Sequence, residues 1–447
     1  MADSVPAGDR TMAGLLAIAD IRPKAVPETA LRMATLSLYD WMVVARAGAQ
    51  EPVAKIVRDL VMEDGGTASA HVVGGGDTRL PARAAALANG TISHALDYDD
   101  THFGHVGHLS VAVLPAALAV GEAMDASAPA VCHAFLLGAE AACRVGQVLG
   151  RDHYLGGFHQ TATSGAFGAS VAAGVLYGLS TEALRNAISL VSTRASGLKV
   201  QFGTMGKPFN AGMAAANGVE AAALADRGFI SADDGFGGVQ GFAETHTKAL
   251  DPGAWQDPPP DHFLFEDNKY KLHACCHGAH AMIEAILSAR GRRPFDPEEV
   301  AALTVRTNPR WLRVCDVKRP RTGLEVKFSY AFLAAMVMAD ISTASNRAYG
   351  DDLCTDPRLK AFAARVAVEG DDAVADTATT ITIALKDGAT LEATHDLADP
   401  MDLGALEEGL RKKAAVILTE EDADRLWDAV ATLEEASARD LGALIAK

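Results

Sequence analysis

Chemistry concentrates between Asn89 and Pro115, NGTISHALDYDDTHFGHVGHLSVAVLP, where four histidines and three aspartates interrupt a run of small and apolar residues. His102, His105 and His108 stand three apart beside Asp97, Asp99 and Asp100. Two chemistries use such a set. Imidazoles and carboxylates can ligate a metal, or imidazoles can do acid–base work, because their reference pKa lies near working pH. Evenly spaced histidines share a face only in a helix, and Gly104 and Gly107 make a helix improbable here. Acid–base chemistry without a metal is therefore expected, with Asp97 and its neighbours orienting an imidazole and raising its pKa.

Other candidates lie further along. His159 sits in the turn GFHQ ahead of a small-residue helix. Lys207 follows Gly206 in QFGTMGKPFN, which invites a phosphate-loop reading. That reading fails, since GxxxxGK[ST] needs a glycine where Gln201 stands and a hydroxyl where Pro208 stands. What remains is a lysine opening a helix, where backbone N–H groups and the helix dipole also favour an anion. Lys269 and Lys271 form one basic cluster, and Arg310, Arg313, Lys318, Arg319 and Arg321 another. Solvated surface charge explains the second cluster as well as an anionic substrate does.

These groups need elements to hold them. Ala82 to Ala95 and Val111 to Glu122 flank the His/Asp stretch and read as helices, with Pro115 acceptable only near a first turn. Helical patterns recur at 28–45, 53–62, 127–150, 157–178 and 181–190, the last with Ser180 or Thr181 as N-cap. After about Leu250 the composition shifts. DPPPD at 257–261 reads as a rigid linker, and strands alternate at 303–306, 380–385 and 390–395, with Asp387-Gly388 as a hairpin signal. Helices at 280–290, 328–341 and 357–364 intervene. The expectation is a mainly α protein: a large all-helical domain over 1–265, a smaller α+β domain over 266–398, and C-terminal helices over 399–447 packing back on the helical domain.

At 447 residues the chain exceeds what one core usually organises. Hydrophobic residues make up 49% but aromatics only 6%, with 41 glycines, so the core must be built from small side chains that let helices approach closely. A net charge of −17 argues against binding nucleic acid or an anionic membrane surface. The six cysteines form no paired CxxC, and no secretory leader is evident, so reduced thiols in the cytoplasm are expected. No apolar run reaches the roughly 18 to 20 residues of a membrane span.

The series NGTISHALDYDDTH, HLS at 108–110, GFHQTATSGAFG at 157–168, GKPFNAGMAAANGVEAAALADRGF at 206–229, KLHACCHGAH at 271–280 and EVKFSYAF at 325–332 resembles the MmgE/PrpD family over nearly the whole length. The resemblance implies a helical domain with a smaller α+β lid, an active site in the cleft between them, a homodimer and no obligatory cofactor. It implies catalytic roles for Asp97, His108, His159, Lys207 and Lys271, with Thr101, His105, Lys269, His280 and Arg319 binding substrate. Two motifs depart from the family: His-Pro-Ser is His108-Leu109-Ser110, and His-Pro-Thr is His159-Gln160-Thr161. The family's reactions remove or replace a proton, or a carboxylate, on carbon beside a carboxylate, so a small anionic di- or polycarboxylate substrate is implied. Its members include dehydratases of 2-methylcitrate, decarboxylases of cis-aconitate and an epimerase of iminodisuccinate. The chain's compactness and the two departures favour the epimerase, ahead of the dehydratase and then the decarboxylase; a non-catalytic binding protein is the alternative of another class.

Overall fold

The computed structural model describes residues 7–447, so most of the polar N-terminal stretch expected to fray lies outside the described residues. The chain divides into two compact units, one running to Tyr270 and resuming at Leu418–Lys447, the other spanning Lys271–Ile417.

The larger unit is helical: α1 (Ala7–Ala19), α2 (Glu28–Gly48), α3 (Pro52–Asp64), a short hairpin of β1 (Ala70–His71) and β2 (Arg79–Leu80), then α4 (Ala82–Ser93), α5 (Ser110–Ala123), α6 (Ala128–Leu155), α7 (Gln160–Tyr177), α8 (Thr181–Val191) and α9 (Gly206–Asp226). Helix α7 is the centre, packed on α5, α6 and α9, and every residue from Gln160 to Gly174 is buried. The small residues act through backbone approach. A Cβ on Gly168 would strike the Gly138 carbonyl of α6, and one on Gly90 of α4 would come within 2.8 Å of Gly212 Cα on α9. Larger side chains at these crossings would force the helices apart.

Local signals place the ends. Ser180 caps α8 through Ala183 N–H, and Ser127 caps α6 through Ala130 N–H. Pro115 falls in the second turn of α5, beyond the first turn where it was expected. Pro115 has no N–H to give the Val111 carbonyl, and that oxygen faces Gly90, where no side chain intrudes. The DPPPD segment belongs to the helical unit and is no linker between units. Buried Arg144 pins the chain on either side of it, donating to the carbonyls of Ala254 and His262 at 2.7 Å each.

The smaller unit carries a four-stranded sheet in the order β4-β3-β5-β6, with β3 at Val300–Thr307, β4 at Val366–Gly370, β5 at Ala378–Leu385 and β6 at Thr390–Asp396. β4 runs parallel to β3 and the other pairs are antiparallel. The β5–β6 turn closes with Leu385 N–H donating to the Ala389 carbonyl and Gly388 at φ 89°, a left-handed position that suits glycine. Helices His280–Arg292 and Tyr330–Met338 share the core of this sheet. The C-terminal region splits. Leu403–Ile417 stays with the smaller unit, where Gly409 lies against Leu272, whereas Glu420–Ala431 and Ala438–Ala446 join the helical unit. Among the described residues no helix is long and apolar enough to cross a membrane.

Candidate functional site

The loop from His94 to Leu109 leaves α4 and enters α5, and its polar side chains are folded inward. Asp100 fixes its end by accepting from Ser110 N–H at 3.1 Å, the first residue of α5, and from Ser110 Oγ–H at 2.6 Å. Thr161 Oγ1 in the first turn of α7 accepts from His108 N–H at 3.0 Å. His159 stands directly before α7, its N–H donating to the Gly197 carbonyl at 2.9 Å. Lys207 lies in the first turn of α9. Three helix starts thus deliver His108, His159 and Lys207 to one place.

Four of the expected residues meet there. Lys207 Nζ is 2.7 Å from Asp97 Oδ1, and His108 Nε2 is 3.6 Å from the same oxygen. His108 Nδ1 donates to the Asp100 carbonyl at 2.7 Å and lies 2.8 Å from Asp99 Oδ2, which has no aligned donor. His94, which sequence reasoning did not place among the site residues, has its Nδ1 at 2.8 Å from Asp99 Oδ1. The His94 ring centre is 4.6 Å from that of His108 and 6.3 Å from that of His159, so the three imidazoles form one cluster. Asn210 Nδ2 is 3.2 Å from His159 Nδ1 and 3.4 Å from the Leu198 carbonyl. Because Leu198 O can only accept, Asn210 presents its NH2 group, and His159 Nδ1 must accept as well.

These contacts fix the proton positions. His108 carries its proton on Nδ1 and offers a bare Nε2; His159 has a bare Nδ1 and carries its proton on Nε2. Burial pulls His108 down to about 4 against the opposing pull of Asp99, so its imidazole is neutral near pH 7. Burial, reinforced by Lys207, holds His159 well below the usual histidine value. For Asp99 burial works upward, but His94 and His108 outweigh it and keep the carboxyl well below its ordinary range. Asp100 is pushed up to about 7 by burial and by Asp99, against the hydrogen bonds from Ser110 and Asn268.

The remaining expectations separate. Thr101 and Lys269 exchange backbone hydrogen bonds of 2.7 and 2.8 Å at the edge of the loop. His105, expected to bind substrate, is fully buried beside Gly107, Gly146 and Ser164. Lys271 and His280 lie buried in the smaller unit, His280 with ring centres of His273 at 5.0 Å and His277 at 4.6 Å. Arg319 is exposed there, and its neighbours Arg310, Lys318 and Arg321 pair with Asp376, Asp316 and Glu325, as ordinary surface charge does.

Ligand atoms of His94, Asp97, Asp99 and His108 lie within 4.8 Å of one another, close enough to surround a cation. The chemistry of the set fits a metal poorly. Asp97 already holds the Lys207 ammonium, and both histidines turn Nδ1 toward Asp99. The cluster is better suited to move a proton beside fixed positive charge.

Residues 16–253 match the MmgE/PrpD N-terminal domain and residues 273–435 the MmgE/PrpD C-terminal domain. Cis-aconitate decarboxylase of Aspergillus terreus is 29% identical over 60% of this chain, which spans 58% of that relative's length. The Homo sapiens and Mus musculus cis-aconitate decarboxylases are each 26% identical over 82% of this chain, covering 80% and 79% of theirs. Helical body, smaller mixed unit and two matched domains agree: the chain belongs to the MmgE/PrpD family.

Proposed function

We propose that the chain is a lyase of small polycarboxylates, working without a cofactor, and that it decarboxylates an unsaturated acid of the cis-aconitate type. The names of its relatives support a lyase over the epimerase that the sequence favoured. Within the chain, one observation carries the reading: a bare imidazole nitrogen on His108 and an N–H on His159 stand beside the Lys207 ammonium.

In such a reaction the C–C bond to the departing carboxyl breaks and CO2 leaves. Its electron pair passes through the conjugated double bond into a remaining carboxylate as an enolate, and a proton then caps the carbon. Lys207 supplies fixed positive charge for the enolate, with Asp97 holding it in place until substrate binds. His159 Nε2–H donates to the same developing charge. His108 Nε2 loads a proton when a polyanion binds beside it and delivers that proton to carbon, after which solvent reloads it. Thr101 and Lys269, paired at the loop edge, are proposed to contribute to substrate binding.

Inversion of a carbon beside a carboxylate is the second reading, since it needs two proton carriers in opposite states, as His108 and His159 are. Incubation with cis-aconitate, 2-methylcitrate and iminodisuccinate in deuterium oxide, followed by NMR, tests both. CO2 release with one deuterium in the product is expected. Cα exchange without CO2 would favour the epimerase, and turnover of none of the three would favour a binding protein.

A further inference from the structure

The carboxylate of Asp99 is shared. Its Oδ1 takes Nδ1 of His94 at 2.8 Å, and its Oδ2 faces Nδ1 of His108 at 2.8 Å. Asp99 and the His94 ring are wholly buried, so neither has bulk water as an alternative partner. A buried carboxylate oxygen accepts and does not donate, so Asp99 Oδ1 favours Nδ1–H on His94; on His108 the Nδ1 proton goes to the Asp100 carbonyl at 2.7 Å, with Asp99 Oδ2 beside it. Two buried atoms are then left without a hydrogen-bond partner among the described residues: Asp99 Oδ2 and His94 Nε2. Leaving such atoms bare is unfavourable, and the arrangement is usually retained where a ligand or a charge change will supply the partner.

We propose that Asp99 is the positioning residue of this site, holding His94 and His108 with their Nδ1 sides toward its one carboxylate so that both turn a bare Nε2 toward substrate. The proposal rests on the reading of His108 as proton carrier. When His108 Nε2 loads a proton, the imidazolium charge spreads over both nitrogens, and Asp99 Oδ2 is the carboxylate oxygen nearest that charge. Asp97, on the Nε2 side, is shared with Lys207 and free to yield to substrate. His94 Nε2 takes a hydrogen bond from a protonated carboxyl, a hydroxyl or a water. The charged and titratable groups facing His108 are Asp97, Asp99, His94, His105, His159 and Lys207; on its Nδ1 side stand the Asp99 carboxylate and the Asp100 carbonyl.

Histidine-selective two-bond 1H–15N NMR of the unliganded protein tests this, with His94→Gln and His108→Gln used to assign the signals. Wild type is expected to show both rings as the Nδ1–H tautomer. The Asp100 carbonyl holds Nδ1–H on His108 in either protein, so an Asp99→Asn amide should keep its oxygen on that side and turn its NH2 group to His94, which is expected to give up Nδ1–H. The same variant should lose about 10²-fold in kcat, with KM within about threefold, a split that a purely structural residue would not produce. Either ring as Nε2–H in wild type overturns the proposal, as does an Asp99→Asn protein that keeps both Nδ1–H forms. Should Asp99→Asn not fold, the wild-type spectrum and retention of Nδ1–H on His94 in His108→Gln still decide. The tautomers are read without substrate, so their failure is distinct from a failure of wild type to turn over any carboxylate, which counts against the proposed function alone.

Discussion

Lys207 Nζ lies 2.7 Å from Oδ1 of Asp97, and Asp97 holds that position from a left-handed backbone, φ 51°. Non-glycine residues in that region are uncommon, although aspartate tolerates it better than most. Strain of this kind, of order 1 kcal/mol, persists where function requires it. Asp97→Gly should therefore leave stability within about 1 kcal/mol, because glycine adopts the conformation freely, while turnover falls about 10²-fold or more. Lys207→Met should lose turnover similarly and fold normally. Thermal melts beside steady-state kinetics check both, and a fully active Asp97→Gly would remove the pair from the mechanism.

Acid should destabilise the fold well before its carboxylates are protonated. His108 and His153 are each depressed to about 4 by burial, from an ordinary 6.5, and His105, His159 and His280 shift in the same direction for the same cause. Between pH 6.5 and 4 the unfolded chain binds more protons at these sites than the native one, so stability rises with pH across that window and is lost as pH falls through it. Asp100, raised to about 7, acts oppositely, favouring the native state at the acid end. Glu122 and Glu140 are raised as well, but His102, His133 and His246 are also lowered, so among the described residues eight histidines stand against three carboxyls and set the sign. Melting temperatures should fall steadily from pH 6.5 to pH 4; a flat profile there would refute the buried neutral imidazoles.

His105→Gln separates packing from binding. With its ring buried against Gly107, Gly146 and Ser164, the change should cost about 1 to 3 kcal/mol. Surviving folded protein should keep KM near wild type. A raised KM without a lowered melting temperature would return His105 to the substrate site.

Exhaustive chelation should leave activity intact. A cation among His94, Asp97, Asp99 and His108 would have to displace Lys207 and take the place of Nδ1 protons. Activity lost to chelator and restored by one divalent metal would overturn this.

How much was readable beforehand depended on range. His159 ahead of a small-residue helix, Ser180 as a cap and Gly388 in a hairpin are local signals, and the chain obeys them. Strand β4 was not anticipated, because its five residues pair only at the sheet edge beside β3. Loop residues with identical chemistry were also separable only by distant partners. His105 turns inward because Gly146 leaves room on α6, and His108 stays in the cluster because Asp100 and Thr161 hold it. His94 and Asp99 could be seen as polar residues in an apolar run, but their mutual contact across five positions could not. Nor did the sequence mark Asn210, whose importance lies wholly in the ring it faces.

Asn210 supplies the sharpest test of the proton donor. Its NH2 group gives to the Leu198 carbonyl and faces His159 Nδ1, and that second contact is what leaves the proton on Nε2. Asn210→Asp replaces the donor with an acceptor at nearly constant volume. His159 must then carry its proton on Nδ1 to meet the carboxylate, and Nε2 becomes bare. Stability should fall by about 1 to 3 kcal/mol, because the Leu198 carbonyl would face another acceptor. Turnover should fall further than folding explains, by about 10²-fold, as the donor to the developing enolate disappears. Substrate affinity should change little, since Lys207 remains. The tautomer is visible by 15N NMR and the kinetics by CO2 release. An Asn210→Asp protein with His159 still protonated on Nε2, or with the tautomer switched but kcat unchanged, would end the assignment of His159 as donor.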